Sequence, residues 1–264
     1  MRARITIIAL VFATLAVEAQ QQPHTVVAPL LKTSWSQWAP YNNLCPQNCP
    51  TGCVITATAQ VMNYWQWPKS GFGTATNEGT GVTVDFSEST YDWAKMKNNY
   101  EVEGYTSEEA YAIAHLMYDL GYALGAQYKP SGTQSAVSGL ALARNFRYSY
   151  NWTQLSGASN NEIASFIKNE LDAGRPVLYS GKPSVDSDSV NSHQLVCDGY
   201  TSDGYFHFNY GWGGAHDGWY KLGELYVYNN NIGVIGNIQP ADGALATEGD
   251  FTFQLYPNGE ADVT

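Results

Sequence analysis

Pro50-Thr51-Gly52-Cys53-Val54-Ile55-Thr56-Ala57-Thr58-Ala59-Gln60 is the stretch at which the sequence changes character. Before it, residues 20–50 read as loop, rich in Gln, Pro and Asn, with Trp35 and Trp38 interleaved. From Thr51 onward Val54, Ala57, Val61 and Tyr64 recur at helical spacing until Pro68. A helix is therefore expected to start at Thr51 or Gly52, with Cys53 in its first turn. That placement has a chemical meaning, because the thiolate is the reactive form of cysteine and a helix N-terminus lowers its pKa. The small Gly52 leaves room for a substrate backbone. Position alone suits a buried helix cysteine equally well.

Working outward, residues 69–90 are rich in Gly, Thr and Ser and predict surface loops or a short hairpin. Thr106-Ser107-Glu108-Glu109 is a capping-box pattern followed by Ile113, Met117, Leu120 and Leu124, a second helix. A third is expected over about Thr133 to Asn145, with Val137, Leu140 and Ala141 inward. A fourth starts at Ser159-Asn160-Asn161-Glu162, carries Ile163, Phe166, Ile167 and Leu171, and stops at Gly174 before Pro176. Helical periodicity then disappears. Residues 177–180, 194–200, 205–210, 219–222, 233–238 and 251–255 read as strands, several alternating with period two. Helices preceding strands predict an α+β protein rather than a wound βαβ sheet. No internal repeat is found.

The chain has 264 residues, enough for one large domain or two joined subdomains. Its 44% hydrophobic content excludes intrinsic disorder. With 13 Lys and Arg scattered among 24 Asp and Glu, the net charge of -11 excludes a nucleic-acid partner, since no basic stripe exists. Met1-Arg2-Ala3-Arg4, the apolar run Ile5 to Ala16 and the small residues about Ala19 read as a signal peptide over residues 1–19, too short for a membrane anchor. Removing it takes away Arg2, Arg4 and Glu18 and leaves a charge of -12. Export permits disulfides. Cys45, Cys49 and Cys53 are each separated by three residues, but without a second Cys or His cluster a zinc site is a poor reading. A Cys45–Cys49 disulfide stays open, and Cys197 reads as a small buried hydrophobe. Neither metal nor organic cofactor is expected.

A thiol nucleophile needs a base. His193, in Ser192-His193-Gln194-Leu195-Val196-Cys197-Asp198-Gly199-Tyr200, heads an apolar strand 140 residues after Cys53, a separation typical of Cys-then-His thiol enzymes. Sixteen residues further, Asn209 ends the next strand in Phe206-His207-Phe208-Asn209-Tyr210-Gly211-Trp212-Gly213-Gly214. An Asn there can accept the second ring N–H of the histidine, and Trp212 can shield that contact from water.

The Pro50–Gln60 stretch, the His193–Tyr200 segment and Asn209-Tyr210-Gly211-Trp212-Gly213-Gly214 with Asp217-Gly218 together resemble the streptopain family of secreted bacterial cysteine peptidases. Supporting stretches are Pro40-Tyr41-Asn42, Tyr91-Asp92-Trp93, Leu116 to Gly121 and Gly174 to Tyr179. The resemblance implies a papain-like fold: a helical subdomain bearing Cys53, an antiparallel sheet subdomain bearing His193, and the active site in the cleft between them. It implies Cys53 as nucleophile, His193 as general base and acid, Gln37 in the oxyanion hole, and Asn209 and Trp212 as the residues that orient and cover His193. A single peptidase domain over 20–264, helical to about 175 and mainly β from about 176, acting as a secreted monomer on proteins or peptides, is the corresponding expectation.

Three features depart from the family pattern. Ser192 and Gln194 flank His193 where small residues are common, which leaves the specificity-pocket wall unassigned. Tyr210 stands where a second Trp is common, implying looser shielding. Only Gln20 to about Thr33 separates the signal from the enzyme-like start, which implies a missing proregion. Restraint would then come from export or a separate proteinaceous inhibitor, or be lost, or the sequence is incomplete. Two rival functions share the residues: a secreted aromatic-cleft binding module with a vestigial Cys–His pair, and a thiol amidase or acyltransferase.

Overall fold

The computed structural model describes residues 24–183 and 192–241, together with the backbone of two short strands beyond them. The expected signal peptide and the first residues of the strand predicted at 251–255 lie outside the described residues. A short strand, β1 (Thr25–Val27), opens the described chain within the segment expected to be loop. Helix α1 (Cys53–Trp65) starts where the periodicity predicts and ends at Gln66, whose left-handed φ of 48° breaks the helix just before Pro68. The Gly/Thr-rich segment forms the expected hairpin of β2 (Thr74–Asn77) and β3 (Val82–Asp85).

A one-turn helix, α2 (Tyr100–Glu103), was not predicted; its signal is Asn99, whose side chain accepts the N–H groups of Glu101 and Val102. Helix α3 (Ser107–Ala123) carries the predicted capping box between Thr106 and Glu109. Helix α4 (Gly139–Phe146) is shorter than the expected 133–145 helix and is capped by Ser138. The missing turns are loop because Thr133 is committed elsewhere, its hydroxyl donating to the carbonyl of Pro50, while Gln134 bridges to Gln127. Strand β4 (Thr153–Ser156) precedes helix α5 (Asn160–Asp172), which has the predicted Ser159–Glu162 box. Then follow β5 (Val177–Lys182), β6 (His193–Thr201), β7 (Phe206–Asn209), β8 (Gly218–Tyr220) and β9 (Asn230–Gly236). A separate pair, β10 (Phe253–Leu255) and β11 (Ala261–Val263), completes the elements.

The main sheet is antiparallel with order β4-β9-β5-β6-β7-β8, and β1 adds to the C-terminal end of β6. Its central strands do not alternate between core and water. Val177, Tyr179, Leu195 and Cys197 pack with Ile163, Ile167 and Leu171 of α5. Their neighbours Leu178 and Val196 point the other way, into the core of Ile55 and Met62 from α1, Ile113, Leu116 and Leu120 from α3, and Phe146 from α4. With helices on both faces, β6 is buried from His193 to Tyr200, and period two is replaced by a continuous apolar run. The expected split near residue 175 is therefore not clean: β1 and β4 join the sheet from the N-terminal side, and α5 covers its far face. Among the described residues no helix is long and apolar enough to cross a membrane.

Leu178 is fully buried between α1 and the sheet. Leu178→Ala is expected to destabilise the fold by roughly 2–5 kcal/mol through lost burial plus a residual cavity. Urea unfolding measures it, and a loss below about 1 kcal/mol contradicts the two-sided core.

Candidate active site

The site forms where the first turn of α1 meets the first residues of β6. The turn into α1 is pinned from several sides: Thr51 N–H donates to the Gln37 carbonyl (3.0 Å), the hydroxyls of Thr51 and Thr56 share a 2.8 Å hydrogen bond, and Thr133 holds Pro50. Gly52 has φ +91°, and a Cβ there would lie 2.7 Å from the Thr133 carbonyl oxygen, so only glycine fits. No side chain caps α1, which leaves its terminal N–H groups for the nucleophile. Burial pushes the Cys53 thiol pKa up, and the N–H groups of Gln194, Val54 and Cys53, acting on Sγ, oppose that shift by favouring the thiolate.

His193 reaches the thiol's surroundings through its neighbours. Its neighbour Gln194 supplies one of the N–H groups on Sγ, and Tyr228, stacked on the His193 ring at 4.9 Å and 28°, lies within electrostatic reach of Cys53. Trp212 also packs on the ring, 4.7 Å away and tilted by 37°, with its own centroid 6.2 Å from that of Tyr228. His193 Nε2–H donates to the carbonyl of Tyr210 at 2.8 Å. Because a carbonyl only accepts, this bond places the proton of the neutral ring on Nε2 and leaves the lone pair on Nδ1. Burial pulls the imidazolium pKa down to about 4, with the Tyr210 contact opposing.

The histidine's partner is thus the Tyr210 backbone and not the Asn209 side chain expected from sequence. The Asn209 carboxamide is buried and its acceptor oxygen is already taken: Oδ1 accepts from Gln60 Nε2 (2.9 Å) and Gly211 N–H (3.0 Å), and Nδ2 donates to the Thr33 carbonyl (2.7 Å). Asn209 fixes the strand end one residue before the carbonyl that holds the ring. Asp217 works from the other side, its carboxylate accepting the Tyr210 N–H at 2.7 Å, while burial raises its own pKa to about 6. Tyr210 is fully buried, packed 5.2 Å from Trp212, with its hydroxyl accepting the Tyr226 N–H, so the Tyr does not loosen the cover.

Gln37 is joined to the nucleophile turn through its carbonyl, and its carboxamide makes no hydrogen bond among the described residues. Cys45, Cys49 and Cys197 are free buried thiols, and burial pushes Cys45 up to about 12. Sequence reasoning missed Tyr228; the Tyr226-Val227-Tyr228 run between two strands is the signal it left unread.

Comparison with known proteins agrees with this arrangement. A thiol protease/hemagglutinin, PrtT, of Porphyromonas gingivalis is 34% identical over 88% of this chain and 28% of its own length. Streptopain of Streptococcus pyogenes is 31% identical over 72% of this chain and 54% of its own length. The chain thus spans about half or less of these curated relatives. The structure of active Prevotella intermedia interpain A cysteine protease superposes with a TM-score of 0.72 at 32% identity, covering 81% of this chain and 95% of that one. The papain-like α+β fold follows from that likeness, and the sequence model of the Peptidase C10 family matches residues 35–220, which span Gln37, Cys53, His193, Asn209 and Trp212. The chain belongs to the peptidase C10 family.

Proposed function

We propose that the chain is a cysteine endopeptidase that hydrolyses peptide bonds through a Cys53 thioester, exported by residues 1–19 and acting as an unanchored monomer on peptides and proteins. The observation that carries the reading is the bond from His193 Nε2–H to Tyr210. It leaves Nδ1 as the ring nitrogen able to take the Cys53 proton. The resulting thiolate attacks the scissile carbonyl carbon, and the Gln37 carboxamide and the Cys53 N–H stabilise the oxyanion. The tetrahedral intermediate collapses as His193 gives its proton to the leaving amine. Water, deprotonated by His193, then cleaves the thioester and regenerates the thiol.

Incubation with casein and fluorogenic peptides under reducing conditions should show turnover that falls by more than about 10³-fold in Cys53→Ala. Equal turnover by both proteins, or failure of an epoxysuccinyl inhibitor to alkylate Cys53, overturns the peptidase reading.

The electrostatics give a separate test. With the thiol removed in Cys53→Ala, the His193 imidazole should titrate at about 4 by NMR, below its unfolded value of about 6.5. The unfolded chain then binds the extra proton between these values, so the His193 contribution to stability falls as pH drops through that window. Asp217, raised to about 6, acts in the opposite sense, so the ring titration rather than a denaturation curve is the measurement. A midpoint near 6.5 contradicts the buried, neutral histidine.

Gly181 lies beneath Tyr228, where a Cβ would come 2.5 Å from the Tyr228 carbonyl oxygen. Gly181→Ala must displace the segment that stacks on His193. It is expected to lower kcat by roughly tenfold or more while leaving the chain folded, as steady-state kinetics beside a circular-dichroism melt will show; unchanged kcat removes Tyr228 from the site.

A further inference from the structure

We propose that Gln60 is a positioning residue of this reaction, a buried carboxamide that sets the nucleophile helix, the Gln37 loop and the His193 support in register. The inference rests on the peptidase reading of Cys53 and His193. Gln60 lies seven residues after Cys53, two turns down the same face of α1. It is fully buried. Its Oε1 accepts both the Thr33 hydroxyl (2.9 Å) and the Trp35 N–H (3.1 Å), and its Nε2 donates to Asn209 Oδ1 (2.9 Å). Asn209 Nδ2 donates to the Thr33 carbonyl at 2.7 Å, closing a ring of hydrogen bonds through Gln60, Thr33 and Asn209.

The three segments in that ring each lead to one working group. Thr33 and Trp35 run directly into Gln37, α1 carries Cys53, and Asn209 precedes the Tyr210 carbonyl that holds His193. Trp35 extends the tie, its carbonyl accepting the Gly213 N–H (3.0 Å) beside Trp212. Helix α1 is buried all round between Ile55 and Met62, so an apolar side chain at position 60 would meet no water. It would leave the Thr33 hydroxyl, the Trp35 N–H and one acceptor site of Asn209 without a partner in the interior, and the bonds from Asn209 to Thr33, Gly213 to Trp35 and Thr51 to Gln37 would hold the segments in pairs with no group joining all three. A neutral amide provides donor and acceptor together without burying a charge. Gln60 touches no reacting atom, so its effect must pass through placement, where a shift of about 1 Å can cost about 10²-fold in rate.

The test is Gln60→Met, close in length and volume, with Thr33→Val as the milder variant that removes one arm of the ring. Folding is checked by circular dichroism. Gln60→Met is expected to lower kcat about 10²-fold with KM changed by less than about threefold, and Thr33→Val to lower it about tenfold. The rate of Cys53 alkylation by iodoacetamide against pH should move in both variants toward the profile of an unpaired thiol, which a merely structural defect in a folded chain does not do. Gln60→Met and Asn209→Ala should combine with far less than additive loss. Unchanged kcat and an unchanged alkylation profile in folded Gln60→Met overturn the proposal, as do additive losses. If Gln60→Met does not fold, Thr33→Val decides by the same two readouts. A wild-type chain without turnover sinks the peptidase reading instead, and the alkylation profiles still judge Gln60.

Discussion

The hydrogen bond from His193 Nε2–H to the Tyr210 carbonyl is the contact on which the rest of the site depends. A backbone acceptor cannot donate, so the ring has one neutral tautomer, and that tautomer leaves Nδ1 free of its proton. What a side-chain acceptor would set by its own rotamer is set here by the path of residues 209–217. Asn209 anchors the start of that path to α1 and to Thr33, Asp217 takes the Tyr210 N–H, and the Tyr210 hydroxyl takes the Tyr226 N–H. The loop is rigid because its polar groups are paired at both ends, and the histidine inherits that rigidity.

Burial works against both charged forms of the pair, since it raises the Cys53 thiol and lowers the His193 imidazolium. A fall from 6.5 to about 4 corresponds to roughly 3 kcal/mol against the imidazolium at 1.36 kcal/mol per unit. Two opposite charges about 4 Å apart in an environment of effective dielectric 20 attract by about 4 kcal/mol. A thiolate brought that close to the ring would offset a burial cost of this size for the imidazole alone. On the sulfur side burial is the larger effect, and the N–H groups of Gln194, Val54 and Cys53 offset part of it. That is why the position of Cys53 in the first turn matters: three residues further along, those N–H groups would be engaged within the helix.

The start of α1 and both capping boxes were legible because each rests on contacts within one turn of chain: helical spacing after Thr51, Thr106 with Glu109, Ser159 with Glu162. Cys53 and His193 were legible as residue types in a defined order. The partner of His193 was not, because a backbone carbonyl carries no residue identity, and Asn209, the visible candidate, is drawn off by Gln60 and Thr33 from distant parts of the chain. Strands β1 and β4 were missed for a similar reason. Each has only three or four residues, and its status comes from an edge of the sheet built by segments more than 75 residues away. The third helix was overextended because Thr133 fits a helical pattern while its hydroxyl serves Pro50.

The aromatic side chains behind the rival reading of a binding cleft take on another meaning in the structure. Tyr41, Tyr100, Tyr148, Tyr179 and Tyr210 are buried side chains of the two cores. The aromatics nearest the chemistry, Trp212 and Tyr228, pack on a histidine rather than forming an open platform. Rings so placed exclude water from the His193–Tyr210 bond and hold the imidazole plane without adding a competing acceptor, since the ring faces offer no strong hydrogen-bonding group. A binding module would gain nothing from such a cage around one titratable ring. A thiol enzyme that needs one fixed tautomer in a nearly dry pocket does.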